Sequence, residues 1–196
     1  MGRKIWLSKI VPGFIVFVLW LNGWFFPLIL LPLFYVILVE KKSWDWLGFS
    51  IRNLRPSLVL SILIIFVLIG VYSPIFVHYL SDMLNRGRFN LYDVFLDVVW
   101  YPVYEEITYR SFALSHFANL DESYHSSKNL IVNVTQSLLF LSIHKHHFSL
   151  SLVLIPVFLL AFLNGILFLR TRNICGCIVS HSVLNGFALL LRYSYG

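Results

Sequence analysis

The chain has 196 residues, of which 59% are hydrophobic and 12% charged, and its mean hydropathy is +0.80. Soluble domains carry about 25% charged residues, so the composition excludes an ordinary water-soluble domain and indicates an integral membrane protein. The formal net charge of +6 would point to nucleic acid in a soluble protein; here it is assigned to loop lysines and arginines facing the cytoplasm and anionic lipid, with no nucleic-acid partner expected.

Residues 10–39 form one apolar stretch broken by Pro12, by Asn22-Gly23, and by Pro27 and Pro32. A crossing needs about 20 residues, so this stretch is long for one helix and short for two. Two short helices turning near Asn22-Gly23 are the preferred reading, and one tilted helix is the alternative. Arg3, Lys4 and Lys9 precede the stretch as in a signal peptide. No small-residue cleavage site follows, so the segment is expected to stay as an anchor.

Apolar runs at about 57–79, 91–118, 130–147, 149–169 and 174–191 mark five more helices. The expected fold is all-α, a polytopic membrane helix bundle of about seven transmembrane helices, with six to eight as the bounds. It is read as a single integral membrane domain over residues 1–196. Residues 1–56 hold the N-terminal helices and a loop, and 91–191 hold the polar core. Trp6, Trp24, Trp44 and Trp46 are expected to be interface anchors.

Orientation follows from lysine and arginine placement. With seven helices and a cytoplasmic N-terminus, ten fall inside: Arg3, Lys4, Lys9, Lys41, Lys42, Arg52, Arg55, Lys128, Arg170 and Arg172. Four fall outside, namely Arg86, Arg88, Lys145 and Arg192. That asymmetry favours a cytoplasmic N-terminus.

The sequence YPVYEEITYR, residues 101–110, places three charges inside an apolar run. Each costs about 2.5–3.5 kcal/mol near the bilayer centre on the insertion scale, so they must pair and face the bundle interior. Glu106 and Arg110 are four apart and share a helix face. Glu105 lies about 100° around the helix from Glu106 and is the carboxylate less neutralised by that arginine. The bland alternative makes all three a buried salt-bridge cluster that joins helices.

Two further helices carry polar groups. FLSIH, residues 140–144, sets Phe140 and His144 four apart, with Asn133, Gln136 and Ser137 upstream on a polar stripe. HSVLN, residues 181–185, sets His181 and Asn185 four apart on the last helix. A lone membrane histidine is more often structural than catalytic. A carboxylate, two histidines and an asparagine from three helices instead form the set that hydrolysis by activated water requires: a base, an orienting partner and oxyanion donors.

Other polar features are assigned plain roles. HKHH, residues 144–147, looks like a metal tract, but His146 and His147 are expected at the headgroups. Asp93 and Asp97 lie near a helix N-terminus, where the dipole favours acidic residues, and are read as structural or as lining an entry path. Cys175 and Cys177 are read as small buried hydrophobes rather than a metal or redox pair.

These residues resemble a known family. EEITYR matches the E-E-x-x-x-R motif of intramembrane proteases that include type II CAAX prenyl endopeptidases and bacteriocin-processing or self-immunity proteins, often called the CPBP or Abi family. FLSIH matches its F-x-x-x-H motif and HSVLN its H-x-x-x-N/D motif. FLNGILFLRTRNICGCIVSH, residues 162–181, is similar to the family's approach to its last motif, with Gly165 and Arg170 in familiar places. WDWLGF, residues 44–49, is loosely similar to its aromatic-Gly segment. The resemblance spans about residues 96–187.

The resemblance implies that Glu105 acts as general base on water with His144 as its partner. It implies that His181 and Asn185 stabilise the oxyanion. Glu106 and Arg110 support the site, with Phe140 of the second motif alongside. It also implies a metal-independent enzyme without a cofactor; zinc held by Glu105, His144 and His181 is the alternative, although the chain has no H-E-x-x-H. The implied partners are the lipid bilayer and a peptide or membrane-anchored protein substrate. The chain looks like the small bacterial members, implying a bacterial cell membrane and a role in bacteriocin self-immunity or peptide maturation. Two competing functions are a non-catalytic immunity protein that sequesters a peptide or its receptor, and a transporter or channel accessory.

Overall fold

The computed structural model describes residues 33–83, 90–118, 120, 123–144 and 153–194. Residues 10–32 of the expected N-terminal helix pair, Lys145, His146 and His147, and the loop arginines Arg86 and Arg88 lie outside the described residues. The chain divides into two compact units, Met1–Trp44 and Asp45–Gly196. In the first, a π-helical turn spans Tyr35–Val39 and is closed by the Glu40 N–H donating to the Tyr35 carbonyl at 3.1 Å.

Every regular element among the described residues is helical. In the second unit the long elements are α1 (Leu54–Met83), α2 (residues 91–117), α3 (Ser127–Ile143), α4 (Leu154–Thr171) and α5 (Cys175–Ser194). They fall on the apolar runs read from the sequence. Leu54–Ile75 and Leu154–Thr171 are each long and apolar enough to cross a membrane, and Cys175–Leu191 is a shorter apolar helix.

Local chemistry explains the ends. Ser126 caps α3, its hydroxyl accepting from the Asn129 N–H at 3.3 Å; this starts the helix before the apolar run begins. Pro156 sits in the first turn of α4, where its missing N–H removes no helical bond. Arg172 ends α4 in the left-handed conformation at φ 53°. Its guanidinium reaches the Leu120 carbonyl at 2.5 Å, which fastens the loop.

Burial separates an inner helix from an outer one. In α4, 56% of the apolar window is buried inside the protein, against 17% in α1. The outward side of α1 presents Val59, Ile62, Leu63, Phe66 and Val67, which suits a surface solvated by lipid. α1 packs against α5 and α4, and α4 also packs against α3.

Small residues let these helices approach closely, because apolar burial gives no drive between helices in lipid and packing must supply it. A Cβ on Gly176 of α5 would run into the backbone carbonyl of Ser57 on α1. The Gly176 N–H instead donates to the Ser57 hydroxyl at 3.1 Å, and that hydroxyl donates to the Asn173 carbonyl at 3.3 Å. A Cβ on Gly165 of α4 would strike the Asn133 amide of α3. Two members of the Asn133, Gln136 and Ser137 stripe bond across helices: Asn133 Nδ2 donates to the Phe162 carbonyl at 3.0 Å, and Gln136 Nε2 to the Ala161 carbonyl at 3.2 Å, while the Ser137 hydroxyl donates to the Asn133 carbonyl of its own helix at 2.8 Å.

The WDWLGF segment is clamped at the same end. The Ser115 hydroxyl donates to the Trp46 carbonyl at 3.2 Å, and the Ser111 hydroxyl donates to the Leu47 carbonyl. Gly48 adopts φ +83°, where only glycine is unstrained, and its carbonyl accepts from the Ile174 N–H at 3.1 Å at the start of α5.

Gly176→Ala should lose about 1–3 kcal/mol through overpacking, read as a lower melting temperature of the detergent-purified protein. Gly70→Ala, with nothing within 4 Å of the added carbon, should show no loss.

Candidate active site

The three polar motifs reach one place because three helices bring them there. Their common neighbour is Phe140 of α3, which is 1% exposed. The Arg110 guanidinium carbon lies 5.0 Å from its ring centroid, on the side of α2. The His144 ring lies 4.6 Å away, and the His181 ring of α5 lies 5.9 Å away. Tyr109 meets the same ring edge-on at 5.2 Å. Tyr109, Arg110, His144 and His181 are thus gathered around a single aromatic side chain.

α2 is not a uniform helix at this point. It is α-helical over Tyr101–Glu106 and π-helical over Ile107–Leu114, and every residue of that π segment is buried. π turns recur at functional sites because they redirect side chains. Here the change of pitch falls directly after the two glutamates.

Glu106 is the most heavily engaged group. Its side chain and that of Arg110 are both 0% exposed, with Arg110 Nε 3.1 Å from Glu106 Oε2. The other carboxylate oxygen, Oε1, accepts from His181 Nδ1 at 2.8 Å and from Asn164 Nδ2 at 3.2 Å. Arg110 Nη2 donates across to the Ala161 carbonyl of α4 at 3.0 Å. The intrahelical pair expected from the spacing is present. It is also the centre of an interhelical cluster, because a buried ion pair is tolerated only when further hydrogen bonds satisfy it.

Glu105 is placed differently. Its side chain is 12% exposed, and its Oε2 lies 3.6 Å from His181 Nε2. One imidazole therefore stands between the two adjacent glutamates, with Nδ1 on Glu106 and Nε2 toward Glu105. A carboxylate paired to a guanidinium only accepts, so His181 Nδ1 donates to Glu106, and Nε2 is the ring nitrogen turned toward Glu105.

His144 closes α3 as its C-terminal cap. Its Nδ1 donates to the Phe140 carbonyl at 2.8 Å, which leaves Nε2 as its basic nitrogen. Asn185 is half-buried, and its Nδ2 donates to the backbone carbonyl of Asp97 at 2.8 Å. This ties α5 to the π-helical turn Leu96–Trp100 of α2. The amide keeps a second N–H beyond that bond. Asp97 therefore enters the cluster through its main chain.

Asn164 and Ser180 are present in the cluster and were not singled out from the sequence. Asn164 Nδ2 also donates to the Cys177 carbonyl at 3.1 Å, and its Oδ1 accepts from the Ser180 hydroxyl at 2.7 Å. The signal was available: Asn164 is the one polar side chain between Val153 and Arg170, and a polar group in such a run must find a partner. Cys177 is buried, with its thiol directed to the Asn164 carbonyl at 3.3 Å. Both cysteines are free. Among the described residues, no three His, Cys, Asp or Glu side chains are gathered to hold a metal ion.

The arrangement holds one carboxylate in an ion pair, a second beside a histidine ring nitrogen, and a second histidine against the Phe140 ring. It is equipped to move a proton to and from water. In a comparison with known families, a family model described as type II CAAX prenyl endopeptidase Rce1-like matches residues 87–187. No curated protein and no solved structure matches the chain.

Arg110→Met should lose about 3–5 kcal/mol of stability, because it leaves the Glu106 charge buried without its cation. The double variant Glu106→Gln/Arg110→Met should lose less than Arg110→Met alone, as read by denaturation in detergent.

Proposed function

Because the chain belongs to the type II CAAX prenyl endopeptidase Rce1-like family, a family of membrane-embedded proteases, we propose that it is an intramembrane glutamate-type endopeptidase whose water is activated by Glu105. The observation that carries this reading is the unequal treatment of two adjacent carboxylates. Glu106 is fully buried and engaged by Arg110, His181 and Asn164, whereas Glu105 is 12% exposed and faces a histidine nitrogen at 3.6 Å. Two acceptors at that separation call for a donor beside them, and a water supplies hydrogens to both.

The chemistry then runs through named atoms. Glu105 takes a proton from the water as its oxygen attacks the scissile carbonyl, with His144 as its partner in the reaction. The carbonyl oxygen becomes an oxyanion. Asn185 offers it the amide hydrogen that is not donated to Asp97. His181 offers it Nε2–H once the proton taken by Glu105 has passed to that nitrogen. The proton finally moves to the leaving amine as the C–N bond breaks. Each step is assigned to side-chain atoms, and the reaction proposed is metal-independent and without a cofactor.

The same reading places the chain in the membrane as a bundle of about seven spans with a cytoplasmic N-terminus, supported by the apolar runs and the lysine and arginine asymmetry. The substrate is a peptide or a membrane-anchored protein. The biological role is bacteriocin self-immunity or peptide maturation in a bacterial membrane, supported by the likeness to small bacterial members.

Wild type and Glu105→Ala, purified into liposomes, should be compared on a quenched-fluorescence peptide library with and without chelator. The expected result is cleavage by wild type only, unchanged by chelator. Loss of cleavage on chelation would transfer the site to a metalloprotease. No cleavage by well-folded wild type would favour a peptide-sequestering immunity protein. Asn185→Ala should lower kcat by about 10²–10³ with the melting temperature little changed, as expected for loss of one oxyanion donor.

A further inference from the structure

The cluster contains a buried group whose position is explained by neither an apolar core nor the three motifs. Asn164 is 0% exposed, lies on the innermost helix α4, and uses its whole amide. Its Nδ2 reaches Glu106 Oε1 at 3.2 Å on α2 and the Cys177 carbonyl at 3.1 Å on α5. Its Oδ1 is held by the Ser180 hydroxyl at 2.7 Å. The Asn164 amide cannot flip without turning its oxygen toward a carboxylate and a carbonyl, both of which only accept. Its orientation is therefore fixed.

We propose that Asn164 is a positioning residue that sets the rotation of the Glu106 carboxylate and, through it, the tautomer of His181. This rests on the protease reading for its catalytic consequence but not for its structural one. The argument concerns the two oxygens of Glu106. Arg110 lies at Oε2 and His181 at Oε1, and the carboxylate's last torsion is broad enough that a second donor at Oε1 narrows it further. Asn164 and His181 approach Oε1 from two different helices and together restrict that torsion. With Oε1 fixed, His181 keeps its proton on Nδ1 and presents a bare Nε2 toward Glu105 at 3.6 Å. Ser180, the residue before His181, aligns the asparagine in turn. Outer groups of this kind fix the tautomer of a working histidine in other sites.

Gly165 shows why the asparagine belongs on α4. That glycine admits the Asn133 and Gln136 amides of α3 on one side, so α4 sits deep enough for Asn164 to reach α2 and α5 on the other.

The test uses the full chain in micelles with histidine labelled by nitrogen-15, and His181→Gln assigns the resonance among the seven histidines. Wild type should show His181 protonated at Nδ1 and unprotonated at Nε2. Asn164→Leu keeps the volume and removes every hydrogen bond. It should give a mixture of tautomers, whereas a packing role predicts a spectrum like wild type. Ser180→Ala, a milder change, should shift the same resonances in the same direction, and it keeps the test decisive if Asn164→Leu does not fold. Unchanged His181 resonances in the folded variants overturn the proposal. In a cleavage assay Asn164→Leu should lower kcat by about 10²-fold with KM little changed. A tautomer shift without cleavage by wild type would uphold the positioning role while defeating the protease reading. A tautomer shift with kcat unchanged would overturn the catalytic consequence.

Discussion

A carboxylate that cannot reach water controls the interior of this protein. Glu106 sits 0% exposed in a chain rich in apolar residues, and its charge is tolerable only with a matching cation and further hydrogen bonds, which here fall on Oε1. Arg110 supplies the cation from the next turn of the same helix. His181 and Asn164 supply donors from α5 and α4. Arg110 in turn reaches α4 at the Ala161 carbonyl and lies against Phe140 of α3. Satisfying one charge therefore fixes four helices relative to one another.

This constraint gives two neighbouring glutamates different tasks. A helix turns about 100° per residue, so the two adjacent carboxylates meet His181 through different ring nitrogens, and Arg110 and Asn164 bond to Glu106. Glu106 points to the cluster and becomes part of the framework. Glu105 points past it, keeps 12% exposure and faces His181 Nε2. The π-helical stretch that begins at Ile107 aids the separation, since it changes the pitch where the two side chains diverge. One Glu-Glu step thus sets a fully buried, paired carboxylate beside a less buried one.

Much of this was legible in the sequence, for identifiable reasons. Helix positions in residues 54–194 follow from apolar runs of membrane length, and the Glu106–Arg110 pair follows from spacing alone. The ends are set by capping and shift by a few residues: Ser126 starts α3 at Ser127, and His144 closes it as a cap. What spacing could not supply is register between helices. It gives His181 and Asn185 a common face but not the partner that face meets. His181 turned out to join the two glutamates, and Asn185 to hold the Asp97 carbonyl. Asn164 was readable as a lone polar side chain in an apolar run, yet its partners on two other helices were not. The polar stripe Asn133, Gln136 and Ser137 was visible as a stripe; its bonds to α4 carbonyls needed the close approach that Gly165 allows.

The central claim is that Glu106 belongs to the framework and Glu105 does not. Its most direct test is the thermal stability of Glu105→Gln and Glu106→Gln, purified side by side in the same detergent. Both substitutions remove one charge and keep the shape, so they differ only in what each carboxylate holds. The account predicts a large fall in melting temperature for Glu106→Gln and a value near wild type for Glu105→Gln. Equal falls, or a greater fall for Glu105→Gln, would contradict it and make the two glutamates one structural salt-bridge cluster.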